Sequence, residues 1–325
     1  MAVDDGETEL ARLKVRASSR QVGQLLEWAT PFEKRRWAVE SARGLGYLLA
    51  QQLVAAGETV LDVPATLAAR VRVLGSGRSD KNDPNDATSV AVAALRAPGI
   101  TAVDATDHGE VLRLLARRNN DLGRARNRTA CRLHALLAEL APGGIPNEIR
   151  ALSAQRLLDS ITPATPVQAA RHALAVEHVE DLRRLDAQMR ESKKRIADAV
   201  AASGTTLTGL FGVGPVVVAT VVGYTRNVRR FATSDRYASY NGTAPREVSS
   251  GGRKVHRLSR RGNRQLNHAM HIAAVSQIRH AHSEGRAFYE RKLEEGKTKK
   301  EALRALKRRV SDLVYRQLLI DAEGR

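Results

Sequence analysis

Cysteine is nearly absent from this 325-residue chain, which contains only Cys131. One thiol excludes an internal disulfide and any zinc site built from cysteines. Cys131 stands in a helical pattern between Ala130 and Arg132, where a packing role is expected. Aromatic residues are scarce at 4%, which argues against a membrane-surface helix, because such helices put Trp or Phe on their apolar face. There is no apolar run of the roughly 18 residues a membrane span needs. The start, Met-Ala-Val-Asp-Asp-Gly, is acidic where a secretory signal is basic, and a cytoplasmic location is expected. Acidic side chains are also in deficit, 35 against 53 Lys and Arg, for a net charge of +18. That excess points to a polyanion partner, nucleic acid first. With 42% apolar residues the chain can build cores, and its length allows two domains of ordinary size.

The first hundred residues alternate strand and helix signals. Residues 2–16 read as the end of one strand, an Asp4-Asp5-Gly6 turn and a second strand with Leu10, Leu13 and Val15 apolar. Ser18 or Ser19 can cap a helix through about Trp28, and Arg35 to Val39 reads as a short buried strand ending at Glu40. A helix over about 44–56, a strand through Val60 and Val63, and a helix opened by Pro64 complete an α/β segment that extends to about residue 98.

Two acids then stand at helical spacing. In Asp83-Pro84-Asn85-Asp86, Pro84 suits the first turn of a helix, so Asp83 can be its cap and Asp86 the acid that favours the positive helix end. In the functional alternative, Asp83, Asp86 and Glu40 converge on a divalent cation, since hard cations such as Mg²⁺ take carboxylate oxygens.

From about Asp107 to Leu140 a long helix is expected, its polar side carrying Arg117, Arg118, Arg124 and Arg128 among other arginines. One-sided charge of this kind favours a nucleic-acid contact over a solvated face. Pro142-Gly143-Gly144-Ile145-Pro146 breaks that helix. A second long helix, about 167–202, mixes charges such as Glu177, Asp181, Arg183 and Asp186, which suits a coiled spacer better than a binding face. Gly212-Val213-Gly214-Pro215 resembles a helix-hairpin-helix turn, whose glycines admit phosphates to a helix start. His268 and His271 lie three apart on a helix without a third ligand of metal-site spacing.

Tyr240 to Arg264 is the most distinctive stretch. Ser249 and Ser250 stand against a Gly251-Gly252 turn, followed by Arg253, Lys254, Arg257, Arg260, Arg261 and Arg264, and preceded by Arg246. A hydroxyl on a loop beside many cations suits phosphodiester chemistry, which needs a nucleophile and stabilisation of developing negative charge. The alternative is a plain turn with a solvated basic face.

Three motifs in order resemble the insertion-sequence-110 family of transposases. Val39-Glu40-Ser41 and Lys81-x-Asp83-x-x-Asp86-Ala87 resemble the second, third and fourth acids of its RuvC-like "DEDD" domain. Gly212-Val213-Gly214-Pro215, Ala244 to Gly251, and Ser259-Arg260-Arg261-Gly262-Asn263 resemble its C-terminal transposase domain. The resemblance implies an α/β plus all-α chain: a RuvC/RNase H-like domain over 1–98, a helical coiled-coil spacer over 99–203 and a mainly helical transposase domain over 204–325. It implies a DNA recombinase of an insertion element, guided by a bridging RNA, in which Ser250 forms a phosphoserine link while Glu40, Asp83 and Asp86 hold Mg²⁺. DNA, a guide RNA and further copies of the chain are the implied partners. In the family the first acid lies on a strand upstream of the turn that here reads Asp4-Asp5-Gly6, so the expectation is either a start further upstream or a truncated, inactive relic that only binds DNA or RNA.

Overall fold

The computed structural model describes residues 1–74, 83–105, 107–143, 149–250, 253–258 and 262–324. The chain divides into two compact units, Met1–Thr106 and Asp107–Arg325.

The amino-terminal unit is α/β. Strands β1 (Ala2–Val3) and β2 (Glu9–Ala11) pair antiparallel across the Asp4-Asp5-Gly6 turn. The Asp4 carboxylate accepts the backbone N–H groups of Gly6 and Thr8 and so closes that turn. A second sheet contains β3 (Trp37–Glu40), β4 (Val60–Val63) and β5 (Thr101–Ala102), in that order. Because β3 and β4 are parallel, they need a crossover, and α2 (Tyr47–Ala55) supplies it. The two-residue period of the strands divides the core between the two faces of the sheet. Trp37 and Val39 pack with Leu53, Ala50 and Val60, together with Leu26 of α1 (Gln21–Trp28). Ala38 packs with Val63, with Ala68 of α3 (Ala65–Leu74) and with Val90 and Ala93 of α4 (Asp83–Arg96). Among the described residues no strand pairs with the other edge of β3.

Two long helices run through the second unit. Asp107 caps α5 (His108–Leu140) by accepting the Glu110 N–H, and Thr165 caps α7 (Pro166–Ala202) by accepting that of Gln168, with Pro166 in the first turn. Leu133 and Leu137 of α5 pack with Ala175, Val179 and Leu182 of α7 and with Ala154 and Leu158 of α6 (Ala151–Asp159). At their other ends, Leu112 and Ala116 meet Ile196 and Val200. The two helices therefore run antiparallel.

This second cluster continues into α8 (Pro215–Thr225), α10 (Arg264–Arg279) and α12 (Lys299–Glu323) through Val218, Val221, Leu266, Met270, Leu306 and Val314. Residues 99–203 thus contribute side chains to the core of residues 204–325. Gly223 lets α8 touch α5, since a Cβ there would come within 2.6 Å of the Arg113 backbone. Next to this crossing the buried Glu110 carboxylate accepts from Arg113 and from Arg226, the latter at 3.1 Å.

Several features depart from the sequence reading. Helices α6 and α11 (Glu284–Glu294), the latter capped by Ser283, were not expected, nor was a helix over Ser234–Asn241. The serine segment is a strand hairpin rather than a loop. Cys131 is exposed on α5, not packed. Among the described residues no helix is long and apolar enough to cross a membrane.

Candidate nucleophile hairpin and carboxylate cluster

Helix α9 (Ser234–Asn241) ends at Gly242, whose φ of +73° is the left-handed cap that favours glycine. The chain then enters β6 (Pro245–Ser250), which pairs antiparallel with β7 (Arg253–Leu258). The register runs from Pro245 opposite Leu258 through Arg246 opposite Arg257 and Ser249 opposite Lys254 to Ser250 opposite Arg253. Ser250 is therefore the last β6 residue before the tip. Gly251, Gly252, Arg260 and Arg261 lie outside the described residues, as do the side chains of residues 246–258.

Residues Tyr240–Ala244 and Gly262–Asn267 flank the hairpin and meet at its base. Gly242 and Gly262 are so close that a Cβ on Gly262 would stand 2.5 Å from the Gly242 nitrogen. The Asn263 N–H donates to the Tyr240 carbonyl at 2.6 Å, and the Asn263 side chain caps α10 by accepting from Gln265 and Leu266. Asn267 Nδ2 donates to the carbonyls of Asn241 and Gly242 at 3.1 and 3.0 Å, while its Oδ1 accepts from Lys307 Nζ at 2.8 Å. The fully buried Asn241 donates to Ser311 Oγ at 2.7 Å and accepts from the Thr243 N–H and hydroxyl. The Arg230 guanidinium lies over the rings of Phe231 and Tyr240, 4.4 and 4.5 Å from their centroids. Buried polar groups that are all paired specify one arrangement of the chain.

Lys307 is buried, and burial, reinforced by the Arg264 charge, pushes its ammonium below the ordinary lysine range. Burial together with Lys307 and His268 likewise lowers the pKa of His271. Neither Asn241, Asn267 nor Lys307 stands out among the motifs of the chain. One signal for Lys307 is legible: it shares the apolar stripe of α12 with Leu303, Val310 and Val314, where a solvated lysine has no place.

The expected turn glycines at 212 and 214 differ in role. Gly212 has φ +81° and faces the Ala273 carbonyl, 2.8 Å from where a Cβ would stand, so packing against α10 accounts for it. Gly214 meets nothing within 4 Å.

The carboxylates belong to the amino-terminal unit. Glu40 ends β3 and is followed by Ser41 at φ +50°, a left-handed conformation that is costly for a non-glycine residue. Ser41 donates its N–H to the Val63 carbonyl, and Gly46 lies where a Cβ would come within 2.6 Å of the Glu40 carbonyl. Asp83 and Asp86 stand in the first turn of α4. Each has a cationic partner: Lys14 Nζ reaches Asp83 Oδ2 at 2.9 Å, and Arg72 Nη1 contacts Asp86 Oδ1. The hydrogen bond from Lys14 holds the Asp83 carboxyl below its usual range.

Glu40 and Asp86 line one cavity of about 940 Å³, walled by Val3, Leu10, Trp28, Trp37, Leu53 and Val90 among others; Asp83 does not line it. Among the described residues no three His, Cys, Asp or Glu side chains stand together as a metal-binding group. The donors nevertheless suit a hard cation, because Mg²⁺ needs only one or two carboxylates when phosphate oxygens and waters complete its shell.

The predicted basic face of α5 is present. Arg117, Arg118, Arg124 and Arg128 are exposed, and none has an ion-pair partner among the described residues. Arg113 and Arg126 are instead committed to Glu110 and Asp186. Arg264 is exposed at the start of α10.

Comparison with known proteins gives two family matches. A family model described as "Transposase IS116/IS110/IS902 family" matches residues 204–290, and a DEDD transposase model of the IS110 type matches residues 1–142. The 44.8 kDa protein of insertion element IS116 from Streptomyces clavuligerus is 27% identical, over 98% of this chain and 91% of its own length. A protein of Pseudomonas aeruginosa named "Probable family 20 transposase" is 26% identical, over 58% of this chain and 57% of its own.

Proposed function

Because the chain belongs to the IS110/IS116/IS902 family of transposases, we propose that it cuts and rejoins DNA with Ser250 as nucleophile, on an insertion element recognised through a bound guide RNA. The observation that carries this reading is the β6–β7 hairpin, which puts Ser250 beside its tip, opposite Arg253, on feet fixed by Asn241, Asn267 and Lys307. In the backbone register Ser250 stands opposite Arg253 and Arg246 opposite Arg257.

In the reaction, the Ser250 Oγ–phosphorus bond forms as the phosphorus–oxygen bond to one DNA strand breaks. The serine proton is lost, and the departing DNA oxygen is protonated to a hydroxyl. Attack by a DNA hydroxyl on the phosphoserine reverses these changes and rejoins the strand without an external energy source. Arg246, Arg253, Lys254 and Arg257, with Arg260, Arg261 and Arg264, supply positive charge for the phosphate in transit. Glu40, Asp86 and Asp83 would hold Mg²⁺, which when bound polarises a phosphate oxygen. The arginines of α5 grip nucleic acid, and base pairing by the guide supplies sequence choice. Further copies of the chain complete the working assembly.

A second reading, a relic that only binds nucleic acid, is favoured by the Lys14–Asp83 and Arg72–Asp86 pairs, which occupy the acids. One experiment separates the two. Purified chain with Mg²⁺ and element-end DNA is expected to yield cleaved strands linked to protein, and Ser250→Ala to abolish them while nucleic-acid affinity stays within about twofold, a surface-scale effect. Binding without cleavage by the wild-type chain supports the relic; cleavage by Ser250→Ala overturns the serine assignment. Sequencing of RNA that co-purifies with the chain tests the guide.

A further inference from the structure

Helix α7 mixes charges along its sequence, yet packing sorts them. Arg183 and Arg190 are seven residues apart, two helical turns, and so share a face with Asp186 between them. That face meets α5 and the start of α6 in a cleft of about 560 Å³ lined by Arg126, Arg150, Leu152, Arg183, Asp186 and Arg190. Among the described residues four arginines thus share the cleft with one carboxylate, and Arg126 Nε donates to its Oδ1 at 2.5 Å. Arg183 is steadied by Gln155, whose Oε1 accepts from Nη2 at 3.2 Å, which leaves the rest of its fork available. Arg183 and Arg190 are exposed. Planar guanidinium forks match phosphate oxygens two at a time.

We propose that the cleft between α5, α6 and α7 binds the phosphodiester backbone of a nucleic acid, at a place separate from the serine hairpin and from the basic face of α5 at Arg117, Arg118, Arg124 and Arg128. Among the described residues no aromatic side chain lines it, so the cleft reads charge rather than sequence. The proposal rests on the nucleic-acid reading above but not on the identity of the nucleophile.

The test uses the full chain carrying Arg183→Gln and Arg190→Gln, with Lys299→Gln and Lys300→Gln on α12 as a control of equal charge change. Fluorescence anisotropy measures affinity for an RNA hairpin and, separately, for a DNA duplex, over a range of salt. The cleft variant is expected to reduce the slope of log K against log salt by about 1–2, one for each phosphate no longer neutralised, uniformly across sequences. The nucleic acid whose slope falls, RNA or DNA, is the cleft's ligand. Unchanged slopes with both, or an equal fall in the control, overturn the proposal while leaving the serine chemistry intact. A wild-type chain that binds neither overturns the cleft and the transposase mechanism together. An unchanged melting temperature shows that the variant is folded.

Discussion

The hairpin and the carboxylates, the two halves of the proposed reaction, are held by different physics. The hairpin feet are locked by neutral hydrogen bonds among Tyr240, Asn241, Asn263 and Asn267, with Asn241 fully buried and the other three half-buried beside a large helical core. Of the α4 acids, Asp83 is held by an ion pair at the surface, where the side chains of Lys14 and Asp83 are 87% and 81% exposed, and Asp86 by a half-buried pair with Arg72. Buried, fully paired polar groups are costly to disturb, whereas an exposed pair is screened and easily exchanged. The hairpin feet are thus built in advance, and Asp83 is held in an exchangeable state. A cation at Asp83 Oδ2 or Asp86 Oδ1 would compete with Lys14 or Arg72.

The largest expected effect is at a half-buried anchor of the amino-terminal unit. Glu58 accepts from Arg35 Nε and Nη2 and from Trp37 Nε1 at 2.7 Å, which ties β3 to the start of β4. Glu58→Gln should cost about 1.5–3 kcal/mol, the scale of charge-assisted bonds, measured by denaturant unfolding. The hydrogen bond from Arg35, then that from Trp37, holds the folded-state pKa of Glu58 below its unfolded 4.5. Its stabilisation is therefore complete above pH 4.5 and is lost as the pH falls through the lower folded value; the variant should lack that acid-side loss.

Gly262→Ala tests the other half directly. A Cβ that meets the Gly242 backbone at 2.5 Å forces the hairpin feet apart, and the expected cost is about 1–3 kcal/mol with a matching fall in protein–DNA adduct. Full adduct yield from this variant would mean that the feet do not set the nucleophile. Lys307→Met is subtler. Because the folded chain releases the Lys307 proton at a lower pH than the unfolded chain does, wild-type stability should gain on the variant as pH rises toward 10.5. A pH-independent difference would show that Lys307 is not desolvated. The smallest effect is expected of Lys14→Gln: no change in melting temperature, but a lower Mg²⁺ concentration for half-maximal adduct, because Asp83 is released.

Much of this framework is legible in the sequence. The long helices α5 and α7 follow from extended helical stretches that begin near Asp107 and Val167, and β3 and β4 from short apolar runs that end near Glu40 and Val63. The serine hairpin is less so. In Pro-Arg-Glu-Val-Ser-Ser and Arg-Lys-Val-His-Arg-Leu the strand pattern is carried by Val248 and Val255, and strand pairing, not propensity, makes the ribbon. Long-range partners are illegible for a different reason. Lys14 and Asp83 are 69 residues apart, and Asn267 and Lys307 are 40 apart, so nothing local pairs them. The same holds for the arginine cleft: α7 reads as mixed charge until Arg126, 60 residues from Asp186, claims its carboxylate. Leu112 and Ile196 likewise join the core of the carboxy-terminal helices through contacts that no local pattern announces.

If one particular hydroxyl is the nucleophile, it must carry the DNA, and mass spectrometry of the nuclease-trimmed protein–DNA adduct reads which residue does. A nucleotide remnant is expected on Ser250, in the peptide that spans β6 and β7. A remnant on Ser249 or Tyr240, or cleaved DNA with free ends and no adduct, would contradict the assignment.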